Sequence, residues 1–492
     1  MRYNRLYLDN DFLTPTTYTQ DLSEYSENLK FEDLPEEVVE RAKRIMVHCI
    51  GAAIASVGTE VHKKAFDAAV KANGGEGGPV TVWGTGTKLS AVNAGFLMGV
   101  MADALDWEDC SWTGHPSAGA VPDAWAAAEE KHRSGREMLT AIVDAYEIYH
   151  RIAMSVQPNL ERRQKNGWGL TSWQIFASLI PYAKLYGFDA RKTNQAISMA
   201  CECAPVPSDF HQLTMSDHYH YEHGYRNRDG AIIAKSVEAG INNCRDALDE
   251  PRCYLGTMCG DSAKNGSSLR TELEDKKEYD ITWLTRDLGK RYFIMDTLLK
   301  HWPANMWVQT PLELLDILQK KYGFGPDDIE SIVLDPPVKR RMWASPDGFE
   351  SITHAQFSIP YVLSRRLLDP VPGAYWYTKD KMKDARAAEL SLKVKGGPSP
   401  EESPYDGFTL FQQGSYPMRT LTVTTKDGHT YTESMDCHPG HPANMMSREE
   451  LSDRFRLQAK GILPDEKIEK ALDALWNIEK AEDIAAVSDL LC

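Results

Sequence analysis

The segment SDHYHYEHGYRNRDG, residues 216–230, holds an unusual density of side chains that could do chemistry. It contains His218, His220 and His223, with Asp217 and Glu222 among them. The H-x-H-x-x-H spacing could bring imidazoles to a metal ion, but it offers no thiolate, no i,i+4 histidine pair and no evident fourth ligand. A metal site is therefore only weakly indicated, and a catalytic loop or the polar edge of a helix remain as alternatives.

The elements that must position this segment are predicted to be helices. LPEEVVERAKRIMVHCIGAAIAS has apolar residues at helical spacing and acids in its first turn, where they favour the helix dipole. NAGFLMGVMADAL is apolar on nearly all sides, which predicts a buried helix. VPDAWAAAEEKHRSGREMLTAIVDAYEIYHRIAM predicts two helices separated at Ser134–Gly135, and DGAIIAKSVEAGI predicts another that ends near Gly240.

The pattern changes after about residue 270. DDIESIVLDPP predicts a short strand, and PMRTLTVTTKDGHTYTESMD predicts a hairpin around Lys426-Asp427-Gly428. THAQFSIPYVLSRRLLD between them predicts a helix, and a capping box at Ser447 and Glu450 opens a helical tail. We therefore predict a mainly α protein: a helical domain over 1–270, an inserted α+β lid over 271–437, and a return to the helical domain over 438–492.

Composition narrows the functional classes. The 492 residues include 55 basic and 71 acidic side chains, a formal charge of -16, which argues against general binding to nucleic acid or anionic membrane. The first residues lack the apolar core of a signal peptide, and no apolar run reaches the ~18 residues of a membrane span. Nine scattered cysteines without a CxxC pair favour a reduced, cytoplasmic protein with free thiols.

Several stretches together resemble the MmgE/PrpD family. They are ALDWEDCSWTGHPSAGAVPDAWAAAEEKHRSG, LLKHWPANMW, HAQFSIPYVLSRRLLD, KDGHTYTE and REELSDRFRLQA, in the family's order. The family includes 2-methylcitrate dehydratase, cis-aconitate decarboxylase and iminodisuccinate epimerase, which act on small molecules with two or three carboxylates. The resemblance implies a large helical domain with a smaller α+β lid, a homodimer, and a site that works without metal or other cofactor.

The resemblance also points to particular residues. Asp106 and His115 match the family's first catalytic segment, Lys300 matches its lid lysine, and Tyr361 matches the tyrosine that ends the FSxPY segment. Arg228 stands where relatives often carry an arginine that could bind substrate. The histidine-rich stretch then corresponds to a substrate-facing loop that runs into a helix.

Other positions depart from the family pattern. Gly169 and Asn305 stand where relatives have histidines, Tyr219 stands where they have a lysine, and Cys110 replaces a threonine. We expect these four residues, and His218 beside them, to contact the substrate. Because the changes remove positive charge, they predict a substrate with fewer charges than a tricarboxylate, or one with a bulkier uncharged part.

Chemistry next to a carboxylate needs a proton-transfer group and a cation that holds the carboxylate. His115 is the predicted proton-transfer residue, with Asp106 fixing its tautomer, and Lys300 is predicted to clamp the substrate carboxylate from the opposite wall. The structural alternatives are a loop hydrogen bond before Pro116 for His115, a solvated surface position for Lys300, and core packing for Tyr361.

The sequence therefore predicts a metal-independent lyase, most simply a hydro-lyase, that acts on a small di- or tricarboxylate. An epimerase or isomerase would use the same proton abstraction without losing a group, and a decarboxylase would instead protonate a new carbanion. A protein of another class, which binds a small acid and has lost the chemistry, is the remaining alternative.

Overall fold

The computed structural model describes residues 17–111, 113–156, 172–205, 210–250, 253–259, 279–402 and 416–492. The first part of the chain is built mainly of helices, with three two-residue strands. Its elements are α1 Tyr18–Asn28, α2 Glu36–Ala55, α3 Glu60–Asn73, β1 Val80–Thr81, β2 Lys88–Leu89, α4 Ala91–Asp103, β3 Asp109–Cys110, α5 Ser117–Glu130, α6 Gly135–Val156, α7 Gln174–Leu185, α8 Ala190–Cys203, α9 Phe210–Leu213, α10 His218–Glu238 and α11 Tyr254–Cys259.

Helix α4 lies at the centre of this helical part. Every residue from Ala94 to Asp103 is buried, as the apolar pattern predicts, and the Ser90 side chain caps its first turn. Helix α10 packs closely across α4 because Gly224 brings the two backbones together: a Cβ there would lie 2.5 Å from the Phe96 carbonyl oxygen. This approach sets the first turns of α10 beside the end of α4, where the candidate site lies.

The second part of the chain contains the main sheet. Its elements are β4 Leu298–Leu299, α12 Gln309–Tyr322, β5 Ile329–Asp335, α13 Ile352–Gln356, α14 Ile359–Leu368, α15 Lys379–Met382, α16 Ala385–Ser391, β6 Val394–Gly396, β7 Arg419–Thr425, β8 Thr430–Met435, α17 Arg448–Ala459, α18 Asp465–Trp476 and α19 Ala485–Ser488. The strand order is β6-β5-β7-β8, with β5 and β6 parallel and the other pairs antiparallel. The predicted strand and the predicted hairpin are both confirmed.

The C-terminal helices lie against the first helices of the chain. Arg448 at the start of α17 forms an ion pair with Glu40 on α2, and Arg44 on α2 donates to the Met446 carbonyl. The Trp125 indole on α5 donates to Ser488 on α19. The capping box at Ser447 and Glu450 is present as predicted. The molecule is thus mainly α with a smaller α+β part, which agrees with the predicted fold class.

Two local predictions differ from the structure. The histidine-rich stretch is mostly helix and not a loop that runs into one, because only Ser216 and Asp217 precede α10, which begins at His218 and runs without interruption to Glu238. The predicted single helix around FSIPY is two short helices: α13 ends at Gln356, and Ser358 caps α14, whose first turn accommodates Pro360. Among the described residues no single helix meets the length and hydropathy needed to cross a membrane; α2 and α3 meet them only together, across a bend of 93°.

A two-stranded ribbon connects the two parts of the chain. Strand β3 pairs antiparallel with β4, with Asp109 opposite Leu299 and Cys110 opposite Leu298. The amide of Lys300 continues this pairing by donating to the Glu108 carbonyl at 3.0 Å. The ribbon brings the lysine of the second part directly onto the acidic segment that follows α4.

Candidate active site

The segment from Asp103 to His115 forms a tight connection between α4 and α5. Asp106 adopts a left-handed backbone conformation, with φ of 50°, which turns the chain sharply after α4. Asp109 holds the other end of the connection, because its carboxylate accepts hydrogen bonds from Ser117 and Tyr146. The turn and this anchor bring the side chains of Asp103, Asp106, Glu108 and His115 together.

His115 is the middle member of a chain of three hydrogen-bonded side chains. Its Nδ1 lies 2.5 Å from Oε1 of Glu108, and its Nε2 lies 3.0 Å from the hydroxyl of Tyr219. Tyr219 comes from the first turn of α10, so the chain of contacts spans two elements. Asp106 was the predicted partner of His115; the direct hydrogen-bond partner is Glu108, and a carboxylate oxygen of Asp106 lies within 4.8 Å of the imidazole.

Lys300 lies on the same wall as these residues. Its side chain is fully buried, and its ammonium forms ion pairs with Asp106 and, at 2.6 Å, with Glu108. The same nitrogen is 3.2 Å from Nδ1 of His115. The prediction that Lys300 faces the site from the opposite wall is therefore wrong, because the β3–β4 ribbon places it behind His115, where its ammonium contacts the carboxyl groups of Asp106 and Glu108.

Burial separates the pKa values of the two carboxyls that contact Lys300. Desolvation raises the pKa of Glu108 to about 8, although the Lys300 charge opposes this shift. Burial also raises the pKa of Asp106 in part, but the charge of Lys300 and its hydrogen bond outweigh this and the net pKa is lowered. At neutral pH the stable arrangement is thus an ionised Asp106 beside Lys300 and a proton retained on Glu108.

The other members of the chain are uncharged near neutral pH. Burial, followed by the charge of Lys300, lowers the pKa of His115. Burial and the negative charges of Asp106 and Asp103 raise the pKa of Tyr219 well above its usual range. A neutral imidazole between a carboxylic acid and a phenol can pass a proton in either direction, which suits acid–base chemistry.

A second layer of buried polar residues lies behind His115; the sequence analysis named His220 and His223 but missed Asp103, which both contact. Nδ1 of His220 is 3.0 Å from the Asp103 carboxylate, and Nε2 of His223 is 3.6 Å from the other Asp103 oxygen. Burial raises the pKa of Asp103 to about 6. An acidic residue at the end of an otherwise apolar helix was the available signal for Asp103, and an acid two residues after Asp106 was the signal for Glu108.

Several predicted residues do lie together. Nδ2 of Asn305 is 3.4 Å from the Asp106 carboxylate, and Oδ1 of Asn305 accepts from Nε of Arg341 at 3.2 Å. Cys110 is buried on β3, with its sulfur 3.1 Å from that of Met306. Asp106, His115, Lys300, Tyr219, Asn305 and Cys110 therefore belong to one region, and Arg341 is a neighbour that no prediction included.

Other predicted residues lie elsewhere. The Tyr361 hydroxyl donates to the Trp376 carbonyl within the second part of the chain. Arg228 is exposed on α10 and pairs with Asp229. His218 is exposed at the start of α10, where its ring stacks on Tyr225. Gly169 lies outside the described residues.

One group in the described part of the chain could hold a metal ion. Asp103, Asp106, Glu108 and His115 can each place one ligand atom within 4.8 Å of the others. The ammonium of Lys300 already contacts Asp106 and Glu108 and lies beside His115. Because a cation from the protein stands among these acids, a metal ion there would have to displace Lys300.

Comparisons with known proteins agree on one family. The model of the MmgE/PrpD N-terminal domain matches residues 20–266, and that of the MmgE/PrpD C-terminal domain matches residues 302–478. The chain is 26% identical to the cis-aconitate decarboxylase of Mus musculus over 477 residues, covering 94% of this chain and 91% of the relative. It is 23% identical to the cis-aconitate decarboxylase of Homo sapiens, with 94% and 92% covered, and 21% identical to that of Aspergillus terreus, with 96% and 95% covered.

Proposed function

Because the chain belongs to the MmgE/PrpD family, we propose that it is a lyase of small carboxylic acids whose Glu108–His115–Tyr219 chain delivers a proton to the substrate. Its similarity to three cis-aconitate decarboxylases over nearly the whole length supports decarboxylation as the reaction class. The observation that carries the proposal is the unbroken contact from a buried carboxyl through His115 to a phenol hydroxyl.

In the proposed reaction the bond between carbon and a carboxylate breaks, and carbon dioxide leaves. The electron pair stays on the carbon, which takes the hydroxyl proton of Tyr219. The tyrosine oxygen takes the proton on Nε2 of His115, while Nδ1 takes the proton of Glu108. Glu108 ends the step as a carboxylate beside Lys300, and a proton from solvent restores it before the next turnover.

The pKa directions support the role of proton donor. Glu108 retains its proton near neutral pH because burial raises its pKa to about 8. The raised pKa of Tyr219 keeps the hydroxyl protonated until a strongly basic carbon forms beside it. Lys300 stabilises the negative charge that Glu108 acquires when the proton moves, since the two groups are 2.6 Å apart.

A hydro-lyase, the leading prediction from the sequence, remains a second candidate because the same chain can run in reverse. The ion pair between Lys300 and Glu108 favours an ionised Glu108. Such a carboxylate would accept the Nδ1 proton of His115, leaving Nε2 to accept from Tyr219 and the phenol oxygen to act as a base. Dehydration would begin with that proton abstraction, so the two reactions require opposite protonation states of Glu108.

Metal independence is part of the proposal, with the contact of Lys300 to three of the four possible ligand residues as its support. A homodimer and an acid-binding protein without turnover also remain predictions.

Turnover assays separate the decarboxylase, the hydro-lyase and the protein that only binds an acid. They measure carbon dioxide release and loss of water with cis-aconitate, citrate and smaller dicarboxylates. Turnover that survives treatment with a chelator supports the proposal; turnover that stops and returns with a divalent metal contradicts it.

A further inference from the structure

The position of Lys300 leaves the substrate carboxylate without the cation expected from the sequence. The ammonium is buried against Asp106 and Glu108, so its charge is matched within the protein. Arg228, the other predicted cation, lies on the exposed side of α10 against Asp229. A carboxylate that enters a buried site needs a positively charged partner, because desolvation of an unpaired charge is costly.

Arg341 is a buried arginine at the edge of the site, in the second part of the chain. Its side chain is 8% exposed, and its guanidinium lies 4.6 Å from the centre of the Phe357 ring. Nε donates to Asn305, and the Arg341 carbonyl accepts from the Ile359 amide at 2.9 Å. Nη1 also donates to the Arg340 carbonyl at 2.7 Å, so contacts with Asn305, Phe357 and the backbone hold the guanidinium in place. The planar fork of a guanidinium matches the two oxygens of a carboxylate.

Arg341 belongs to a closed ring of side-chain contacts that includes residues from both parts of the molecule. Phe357 lies edge-on to Tyr219, with ring centres 5.2 Å apart, and Asn305 lies 3.4 Å from Asp106. On one side of the ring, Arg341 contacts Phe357, which contacts Tyr219. On the other side, Asn305 and Asp106 connect Arg341 to Lys300. Glu108 and His115 complete the ring between Lys300 and Tyr219.

We propose that Arg341 is the specificity-determining residue of this site and binds a carboxylate that the substrate retains. The inference rests on the proposed function, because it places the substrate beside Phe357, with the retained carboxylate on Arg341 and the reacting carbon at the Tyr219 hydroxyl. The substrate class is a small acid that presents one carboxylate to the second part of the chain and turns its reacting carbon toward α10. Asn305, which lies between Arg341 and Asp106, sets the distance between the cation and the acidic wall.

The test compares Arg341→Gln with Arg340→Gln, its exposed neighbour, using cis-aconitate as the probe. Loss of the charged hydrogen bonds is expected to raise KM about 10- to 100-fold, with a smaller change in kcat, while Arg340→Gln stays close to the unchanged protein. In Arg341→Ala, added guanidinium ions at millimolar concentration are expected to restore part of the activity. A KM unchanged by Arg341→Gln, or equal effects of the two neighbouring changes, would overturn the inference.

Binding can be measured separately from turnover. We expect cis-aconitate to raise the melting temperature of the unchanged protein and of Arg340→Gln, and to leave that of Arg341→Gln unchanged. If the unchanged protein shows this shift without turnover, the proposed function fails while the role of Arg341 stands. If His115→Asn abolishes turnover but Arg341→Gln keeps both KM and the shift, only the role of Arg341 fails. No shift in the unchanged protein contradicts the carboxylate site.

Discussion

Among the described residues, two histidines face a glutamate through Nδ1 at nearly the same distance, and only one of these pairs belongs to the proposed site. Nδ1 of His115 lies 2.5 Å from Glu108, and Nδ1 of His301 lies 2.7 Å from Glu313. Both pairs are largely buried. The second histidine is even adjacent to Lys300 in the sequence, so neither distance nor position along the chain distinguishes the pairs.

The surroundings of the two carboxyls do distinguish them. Burial also raises the pKa of Glu313, but its hydrogen bonds with His301 and Trp302 outweigh this and the net pKa is lowered. The pKa of Glu108 is raised to about 8 in a fully buried position. Glu313 is therefore an ionised acceptor for two donors, whereas Glu108 holds a proton that His115 can pass to Tyr219.

A carboxylate beside a histidine is thus not by itself a mark of catalysis. The pair at Glu313 ends on an indole, which can donate a hydrogen bond but cannot exchange protons with a substrate near neutral pH. The pair at Glu108 continues to a phenol at the far side of the ring. The Glu108 pair therefore provides a path along which a proton can reach the substrate, and the Glu313 pair provides none.

The largest effect is expected from His115→Asn. This change removes the imidazole that links Glu108 to Tyr219, and loss of one acid–base group lowers turnover by about 10²- to 10⁴-fold. His301→Asn is the matched control, and its kcat should stay within about threefold of the unchanged protein, since His301 contacts Glu313 and lies outside the Glu108–His115–Tyr219 chain. Equal losses in the two variants would show that the two pairs have the same role.

Tyr219→Phe is expected to have the next largest effect. The phenyl ring keeps its contact with Phe357 but lacks the terminal proton donor, so kcat should fall about 10²-fold with little change in melting temperature. Tyr361→Phe is the control, because the Tyr361 hydroxyl donates to the Trp376 carbonyl away from the site. This substitution should lower the unfolding free energy by about 1 kcal/mol and leave kcat unchanged. The reverse pattern would restore Tyr361 as the catalytic tyrosine.

The pH dependence of kcat sharpens the comparison further. Glu108 has a raised pKa of about 8, so it loses its proton as the pH rises through that value and the donor chain is interrupted. We expect kcat to fall above pH 8, approaching about tenfold per pH unit for a single proton. Glu108→Gln should show low activity without this alkaline limb. Activity that instead rises through the same range would favour the hydro-lyase, in which Glu108 must be ionised.

The smallest effect on turnover is expected from Glu313→Gln. The amide keeps the shape of the side chain but lacks the charged carboxylate that accepts hydrogen bonds from His301 and Trp302. This loss should lower the unfolding free energy by about 1–3 kcal/mol. Thermal melting measures that loss, and kcat per folded molecule should be unchanged. A large fall in kcat here would mean that the second pair also takes part in the reaction.

The fold could be predicted from the sequence wherever a local residue pattern determines the structure of one helix or turn. The apolar run of α4, the Lys426–Gly428 turn and the Ser447 cap were each predicted from local patterns, and each is present. The histidine-rich stretch was not, because its polar residues hide the helical period. Helix α10 is stabilised there by close packing on α4 at Gly224, which no local pattern reveals.

The site was harder to predict because its partners come from distant segments. Asp106 and His115 were identified, but a spacing along the chain cannot say which of Asp106 and Glu108 faces the imidazole after a left-handed turn. Lys300 was assigned to the wrong wall because the pairing of β3 with β4 depends on the packing of both parts of the molecule. Arg341 had no signal of its own, since its role depends on Phe357 and Asn305 beside it.

The β3–β4 ribbon also constrains how the site can open. Since the ribbon ties Lys300 to the segment that carries Asp106 and Glu108, these residues must move as one rigid block in any rotation of the second part of the chain. Phe357 packs edge-to-face against Tyr219, and beside this contact the hydroxyls of Ser351 and Thr353 donate to Asp217, two residues before Tyr219. We therefore expect a hinge at the ribbon, and a movement that opens the site beside α10 must break these hydrogen bonds as well as separate the two rings.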